Sequence, residues 1–267
     1  MRVDEKKIRE LVARNSPFSP DELRRQENVF FIGGNLPERQ TIETLYESHY
    51  QSNAALFHLT FGGRDRFANG ENLARLIKKN FNARLAGRLD FAPTPQMIDR
   101  AYAAGIDILD IPLQSYRCAS ATGEGAEHEE RVKALAYART IFPRWSVVST
   151  FAAPKESPAT VKDRIDALLE DGIVPLVELS GGAAGAAEKE LTQLFGYLQS
   201  GWQMKKVPVK PLLPLIYLIT PLAPATRKGI LRGFIDSVED RRLLATSDLR
   251  RLLRVKEVAE SFESSGL

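Results

Sequence analysis

The strongest constraint on the fold is a regular alternation of short apolar runs and amphipathic stretches between residues 29 and 200. The apolar runs predict β-strands, which lie at 29–33, 56–61, 83–91, 106–113, 146–151 and 174–179. The intervening stretches predict helices, which lie at 38–52, 70–81, 95–104, 127–142, 158–171 and 186–200. Six successive strand-then-helix units indicate parallel strands joined by helical crossovers.

Two α/β architectures fit this pattern: a doubly wound open sheet, and a full or partial barrel. Most of the strands carry polar residues, mainly near the carboxyl end, and these residues are His58, Thr60, Arg84, Arg88, Asp90, Asp110, Thr150, Glu178 and Ser180. Barrel active sites are built from such strand ends, whereas an open sheet binds ligands only where its strand order reverses. We therefore expect a partial (β/α)6 TIM-like barrel with a C-terminal proline-rich and helical extension. A barrel of eight strands remains the alternative.

The chain is predicted to have three parts. Residues 1–25 form an N-terminal helical segment, and residues 26–204 form the barrel domain. Residues 205–267 form a proline-rich segment and C-terminal helices that pack on the barrel. The density of proline between 205 and 225 is interpreted as excluding a helix there, although 212–219 could add a strand or lie across the barrel end.

Composition excludes several classes of protein. Cys118 is the only cysteine among 267 residues, which excludes an internal disulfide framework, a four-cysteine zinc site and a cluster held by three or four cysteines. The net charge of +3 does not indicate nucleic-acid binding. The charged first residues predict no secretion signal, and the longest apolar stretch is too short for a predicted membrane span. We expect a cytoplasmic protein with no membrane span and no nucleic-acid partner.

The polar strand-end residues support two interpretations. Buried charges are costly unless they are paired or functional. The set is therefore either a ligand site or a structural plug, in which Arg88 pairs with Asp90 or Asp110 inside the barrel. The ligand site is favoured because active sites of barrels lie at these ends. The three histidines lack the spacing of metal ligands, so no metal is predicted.

Each strand-end residue has a predicted role. Asp90, Asp110 and Glu178 are the catalytic candidates, for cation binding or for acid–base work, because neighbouring carboxylates raise one another's pKa into a useful range. The guanidinium groups of Arg64 and Arg88 are predicted to clamp an anionic group. The candidate substrate-binding set is His58, Arg64, Arg88 and Thr150.

Two motifs carry a resemblance to a known family. LTFGGRD at 59–65 follows the second strand, and PTPQMIDRAYAAGIDILDIPLQS at 93–115 covers the third helix and fourth strand. With the strand and helices that follow, residues 29–182 resemble the core of the radical S-adenosylmethionine enzymes, a partial (β/α)6 barrel. LTFGGRD is similar to the family's G-G-E segment, which meets the amino group of S-adenosylmethionine. The resemblance thus implies Gly62, Gly63 and Asp65 as cofactor-binding positions.

Two departures from the family decide the expected chemistry. The family's C-x3-C-x2-C loop would follow the first strand, where this chain has GGNLPERQ at 33–40 and no cysteine. We therefore expect no iron–sulfur cluster and no reductive cleavage of S-adenosylmethionine. Arg64 occupies the position of the acid of G-G-E, and an arginine attracts carboxylate or phosphate rather than ammonium. S-adenosylmethionine is the one cofactor that the resemblance suggests.

Three functional hypotheses follow. The first is a cluster-less, radical-S-adenosylmethionine-like protein that binds a small polar or anionic ligand, either as a pseudoenzyme partner or in non-radical chemistry. The second is a conventional (β/α)8-barrel lyase or transferase, with 212–219 as a further strand and His58 or Glu178 as base. The third is an interaction module, in which 205–267 docks a protein partner or a membrane surface.

Overall fold

One mixed sheet of seven strands forms the centre of the structure, a computed structural model that describes residues 1–51, 53–113, 124–152, 158–179 and 188–224. The strands, in both chain order and spatial order, are β2 (Leu23–Gln26), β3 (Val29–Gly33), β4 (Leu56–Thr60), β5 (Arg84–Arg88), β6 (Ile108–Asp110), β7 (Val147–Ala152) and β8 (Val174–Glu178). β2 is antiparallel to β3, and every other neighbouring pair is parallel. The strand order never reverses, so the sheet is not doubly wound.

Helices connect the parallel strands. They are α2 (Glu38–Gln51), α3 (Phe67–Asn80), α4 (Pro95–Ala103), α5 (Glu124–Ile141) and α6 (Pro158–Glu170), and α7 (Glu188–Met204) follows β8. The six predicted strands and six predicted helices are confirmed, as is the α/β class. Local signals explain the boundaries: Thr94 caps α4 by accepting from the backbone N–H of Met97, and Gly105, at φ +109°, follows its end.

The N-terminal part of the chain packs against residues near 220. Helix α1 (Glu5–Val12) buries Ile8 and Leu11. The short strand β1 (Arg2–Val3) pairs antiparallel with β9 (Leu222–Ala223). The Lys7 ammonium donates to the carbonyl oxygens of Tyr217 and Leu222. These contacts attach α1 to the far end of the described chain.

The two faces of the sheet differ in chemistry. One face is almost entirely apolar, with Phe30, Ile32, Phe57, Leu59, Leu85, Leu109, Val147, Phe151 and Val177. The register places Thr60, Arg88 and Asp110 side by side on the opposite face, with His58 one step nearer the amino ends. These strand-end residues therefore share a face of the sheet, whereas Ser180 lies outside the described residues.

The segment before residue 220 corrects one prediction. Leu213–Ile219 forms helix α8, so the prediction that proline excludes a helix here was wrong. Pro214 lies in the first turn, where a helix needs no backbone N–H donor and tolerates the ring. The N–H of Leu179, just after β8, donates to the carbonyl of Ile219 and so ties the helix to the sheet. The side chains that α8 buries are Leu215, Ile216, Leu218 and Ile219.

Helix α8 takes the place of the further strand that an eight-stranded barrel would need from this segment. Within the described residues, β2 and β8 form the two edges of the sheet and do not pair with each other. The predicted C-terminal helices fall in 225–267, outside the described residues. None of the helices in the described ranges is long and apolar enough to cross a membrane.

A matched pair of glycine substitutions tests how closely the N-terminal segment covers the sheet. A Cβ added at Gly33 would lie 2.3 Å from the carbonyl oxygen of Pro20, whereas one added at Gly196 in α7 meets nothing within 4 Å. We expect Gly33→Ala to lower the free energy of unfolding by about 2 kcal/mol. Gly196→Ala should raise it by about 0.5–1 kcal/mol, because alanine favours the helix. Urea unfolding measures both, and an unchanged Gly33→Ala stability would contradict the packing.

Candidate functional site

An arginine bridge lies at the centre of the polar face. The Arg88 guanidinium donates to Asp90 Oδ1 at 2.7 Å and to Asp110 Oδ2 at 3.3 Å. Asp110 also accepts from the backbone N–H of Thr150 at 2.9 Å and from its hydroxyl at 2.8 Å. The parallel register, which sets Arg88 beside Asp110, builds this network from three adjacent strands.

Burial and ion pairing act against each other at this bridge. Burial raises the pKa of Asp110 to about 6, although Arg88 and the Thr150 hydrogen bonds favour its ionised form. Burial also disfavours the charged form of Arg88, but the carboxylates of Asp110, Asp90 and Glu178 hold its pKa above the ordinary value. Arg88 is therefore a permanent cation, while Asp110 can take up a proton near neutral pH.

Glu178 brings a third carboxylate to the same face. Only 6% of the residue is exposed, and within the described residues its Oε1 atom has no hydrogen-bond partner. Burial raises the pKa of Glu178, while a hydrogen bond with the Ser16 side chain and the charge of Arg88 act to lower it. This carboxylate therefore retains an acceptor that a bound group could use.

His58 lies deeper on the polar face and is fully buried. Neither of its ring nitrogens has a hydrogen-bond partner among the described residues. Its ring packs between Phe18, with centroids 4.7 Å apart, and Phe31, with centroids 5.7 Å apart. Burial, reinforced by the charge of Arg88, lowers the pKa of His58 to about 3, so the imidazole is neutral at physiological pH.

The site is covered by residues 16–18, here called the N-terminal cover. The Arg88 guanidinium carbon lies 4.1 Å from the centroid of the Phe18 ring, within range for a cation–π interaction. Phe18 also packs on His58, and the Ser16 side chain acts to lower the pKa of Glu178. Sequence reasoning missed these residues, because the S-P-F-S-P-D stretch indicates only a turn.

Arg131 supports the site from α5. Its side chain is 2% exposed, and its guanidinium donates to the carbonyl oxygens of Asp90 and Pro112. These two carbonyls lie in the loops that follow β5 and β6. Arg131 therefore fixes the backbone that carries Asp90, a role that nothing in the sequence pattern indicates.

The structure places Arg64 away from the Arg88 bridge. Arg64 is exposed in a short 3-10 turn before α3, and it donates to the carbonyl oxygen of Ala92 at 2.7 Å. Arg88 is held by two carboxylates instead. The two guanidinium groups thus have separate partners, and the described contacts do not join them into a clamp.

The positions implied for a cofactor lie after β4. Gly62 is buried, whereas Gly63 and Asp65 are exposed. A Cβ added at Gly62 would lie 2.0 Å from Asn35 Oδ1, so the Asn35 side chain fills the space beside this glycine. Asn35 is itself held by a 2.7 Å hydrogen bond to Asp21. These residues do not fit S-adenosylmethionine in the manner that the resemblance implies.

Hydrogen bonds fix the turn after β3, the position that corresponds to the cysteine loop of the radical S-adenosylmethionine enzymes. The N–H of Gly34 donates to the carbonyl of Thr60 at 2.7 Å, and the Asn69 amide donates to the carbonyls of Gly34 and Leu36. In the described part of the chain, no three His, Cys, Asp or Glu side chains come together as a metal site.

The sequence matches no family model and no curated protein.

The first site prediction concerns the bridge. Arg88→Met leaves Asp110 buried without its cation, so the free energy of unfolding should fall by about 3 kcal/mol at pH 8. The loss should shrink at pH 5, because Asp110 is then protonated and needs no counter-charge. The double variant Arg88→Met/Asp110→Asn should recover at least half of the loss. Urea unfolding at both pH values measures this, and equal losses in the single and double variants would contradict the bridge.

The second site prediction concerns His58. As pH falls from 6.5 towards 3, the unfolded chain protonates His58 and the folded chain does not, so this group destabilises the fold increasingly at low pH. The raised pKa of Asp110 has the opposite effect on the free energy of unfolding as pH falls. This effect is the same in the natural chain and in His58→Phe, so it cancels in their comparison. His58→Phe should therefore gain about 2 kcal/mol relative to the natural chain between pH 7 and pH 5. If the free energies of unfolding of the natural chain and His58→Phe changed with pH in parallel, the result would contradict a buried neutral imidazole at His58.

Proposed function

We propose that this chain is a cluster-less relative of the radical S-adenosylmethionine barrel proteins that binds a small polar ligand at the carboxyl ends of its strands. The observation that carries the proposal is the set of buried polar atoms that lack partners among the described residues beside the Arg88 bridge, namely Oε1 of Glu178 and both ring nitrogens of His58. A buried polar atom that lacks a hydrogen bond costs about 1–3 kcal/mol, and a ligand that supplies the bond recovers that cost.

The charges of the site favour one class of ligand. Arg88 is already paired with Asp90 and Asp110, and Glu178 adds a further carboxylate within electrostatic range. One cation and three acids give a negative site when all are ionised. Of the polar and anionic ligands suggested by the sequence, the site therefore favours a polar ligand that is cationic or rich in hydrogen-bond donors.

The sheet geometry supports a partial barrel. Parallel crossovers are right-handed in nearly all proteins, so an unreversed strand order places the connecting helices on one face. The opposite face is nevertheless buried, with His58, Thr60 and Thr150 each at most 1% exposed. A face without helices becomes buried when the sheet curls around it, which is the geometry of a (β/α)6 barrel.

The proposed role is binding without radical chemistry. The turn at 33–40 contains no cysteine, so the chain itself has no thiolates there to hold a cluster. The rival eight-stranded barrel needs a strand where α8 lies. The rival interaction module depends on residues 225–267, which lie outside the described residues.

Calorimetric titration tests the proposal with two cationic probes and one anion. Spermidine and S-adenosylmethionine carry positive charge, and citrate is the anionic comparison. We expect at least one cationic probe to bind, no binding of citrate, and a loss of about tenfold in affinity in Glu178→Gln.

The matched control is Glu43→Gln, which removes an exposed carboxylate on α2 and should leave the affinity unchanged. Binding of citrate alone, or equal affinities in the natural chain and Glu178→Gln, would contradict the proposal. A failure of both cationic probes to bind would also count against it.

A further inference from the structure

We propose a second binding site, for a small anion with a short aliphatic chain, in a cavity of about 240 Å³ next to the N-terminal cover. The anionic head is a carboxylate or a phosphate. The cavity lies where α1, β2 and α8 meet the end of β8. This site is distinct from the strand-end site and does not depend on the function proposed for it.

Among the described residues, the charged side chains that line the cavity are both arginines. Arg14 and Arg24 both line it, together with the amides of Asn15 and Gln26, and among the described residues no carboxylate belongs to the lining. Two guanidinium groups and two amides offer the donors that a carboxylate or phosphate binds. Within the described part of the wall, a cation would find no counter-charge.

Arg24 is the principal anchor. It lies in the edge strand β2, with its guanidinium carbon 5.8 Å from the centroid of Phe31. Among the described residues, no carboxylate forms an ion pair with it. Arg14, just past the end of α1, contacts Glu10 at 3.7 Å in an exposed pair, and such pairs are weak. Within the described chain, an incoming anion thus meets one guanidinium without a carboxylate and one that is weakly paired.

The rest of the cavity wall is aliphatic. Leu11, Leu218 and Ile219 are buried side chains of α1 and α8, and Leu179 is buried just after β8. Pro17, from the N-terminal cover, also lines the cavity. Burial of each methylene of a ligand against such a wall raises affinity by about fourfold. An anion with a short alkyl chain therefore matches the cavity better than inorganic phosphate does.

The N-terminal cover contributes residues to both sites. Ser16 and Phe18 contact Glu178 and Arg88 on the strand-end side, while Pro17 lines the cavity. The strand-end site is rich in acids, and the cavity is lined by arginines. The two therefore select ligands of opposite charge.

Titration of the full chain with octyl compounds that differ only in the head group tests the proposal. Octanoate and octyl phosphate should each bind with one site per chain, and their relative affinities show whether the cavity prefers carboxylate or phosphate. Octan-1-ol should bind at least tenfold more weakly, and octylammonium should not bind. Octanoate affinity should fall as salt rises, because the arginines are exposed.

Variants locate the binding. Arg24→Gln should lower the affinity for octanoate or octyl phosphate by about tenfold. It should leave the thermal melting temperature unchanged, because the Arg24 side chain is exposed. Arg39→Gln, which removes an exposed arginine on α2, is the matched control and should bind normally. Equal affinity for octan-1-ol, normal binding by Arg24→Gln, or no saturable binding of either anion would overturn the proposal.

Discussion

The bridge from Arg88 to Asp90 and Asp110 allows a sheet face that carries charges to be buried. Without the guanidinium, Asp110 would lie 3% exposed with only the Thr150 donors to stabilise its charge. The same guanidinium provides the surface on which Phe18 stacks, so the N-terminal cover depends on the bridge as well. Arg131, which holds the carbonyl of Asp90, keeps the outer carboxylate in place.

The strand-end site combines satisfied and unsatisfied groups. Both carboxylate oxygens of Asp110 accept hydrogen bonds, whereas Glu178 and His58 bury atoms that lack partners among the described residues. Folded proteins seldom leave buried polar atoms unpaired without a reason. The contrast within one site separates a structural part, built around Arg88, from a part that is available to a ligand.

Much of the fold could be predicted from the sequence, because apolar runs and amphipathic helices determine it locally. The polar strand-end set was also predictable, since parallel strands bring their carboxyl ends together. Strand β2 was not, because LRRQ has no apolar alternation and pairs through its backbone. Contacts such as Ser16 with Glu178 join residues far apart in the chain, and no local pattern indicates them. Helix α8 was missed because proline is tolerated in a first turn.

The pairing of β1 with β9 has a consequence for the order of events during synthesis. The strands of the polar face are all present once Glu178 has left the ribosome. Helix α1 packs against α7, and the N–H of Asp4 donates to the carbonyl of Pro221, so α1 gains these partners only later. On a growing chain, the strand-end site is thus assembled before the segment that covers it is anchored.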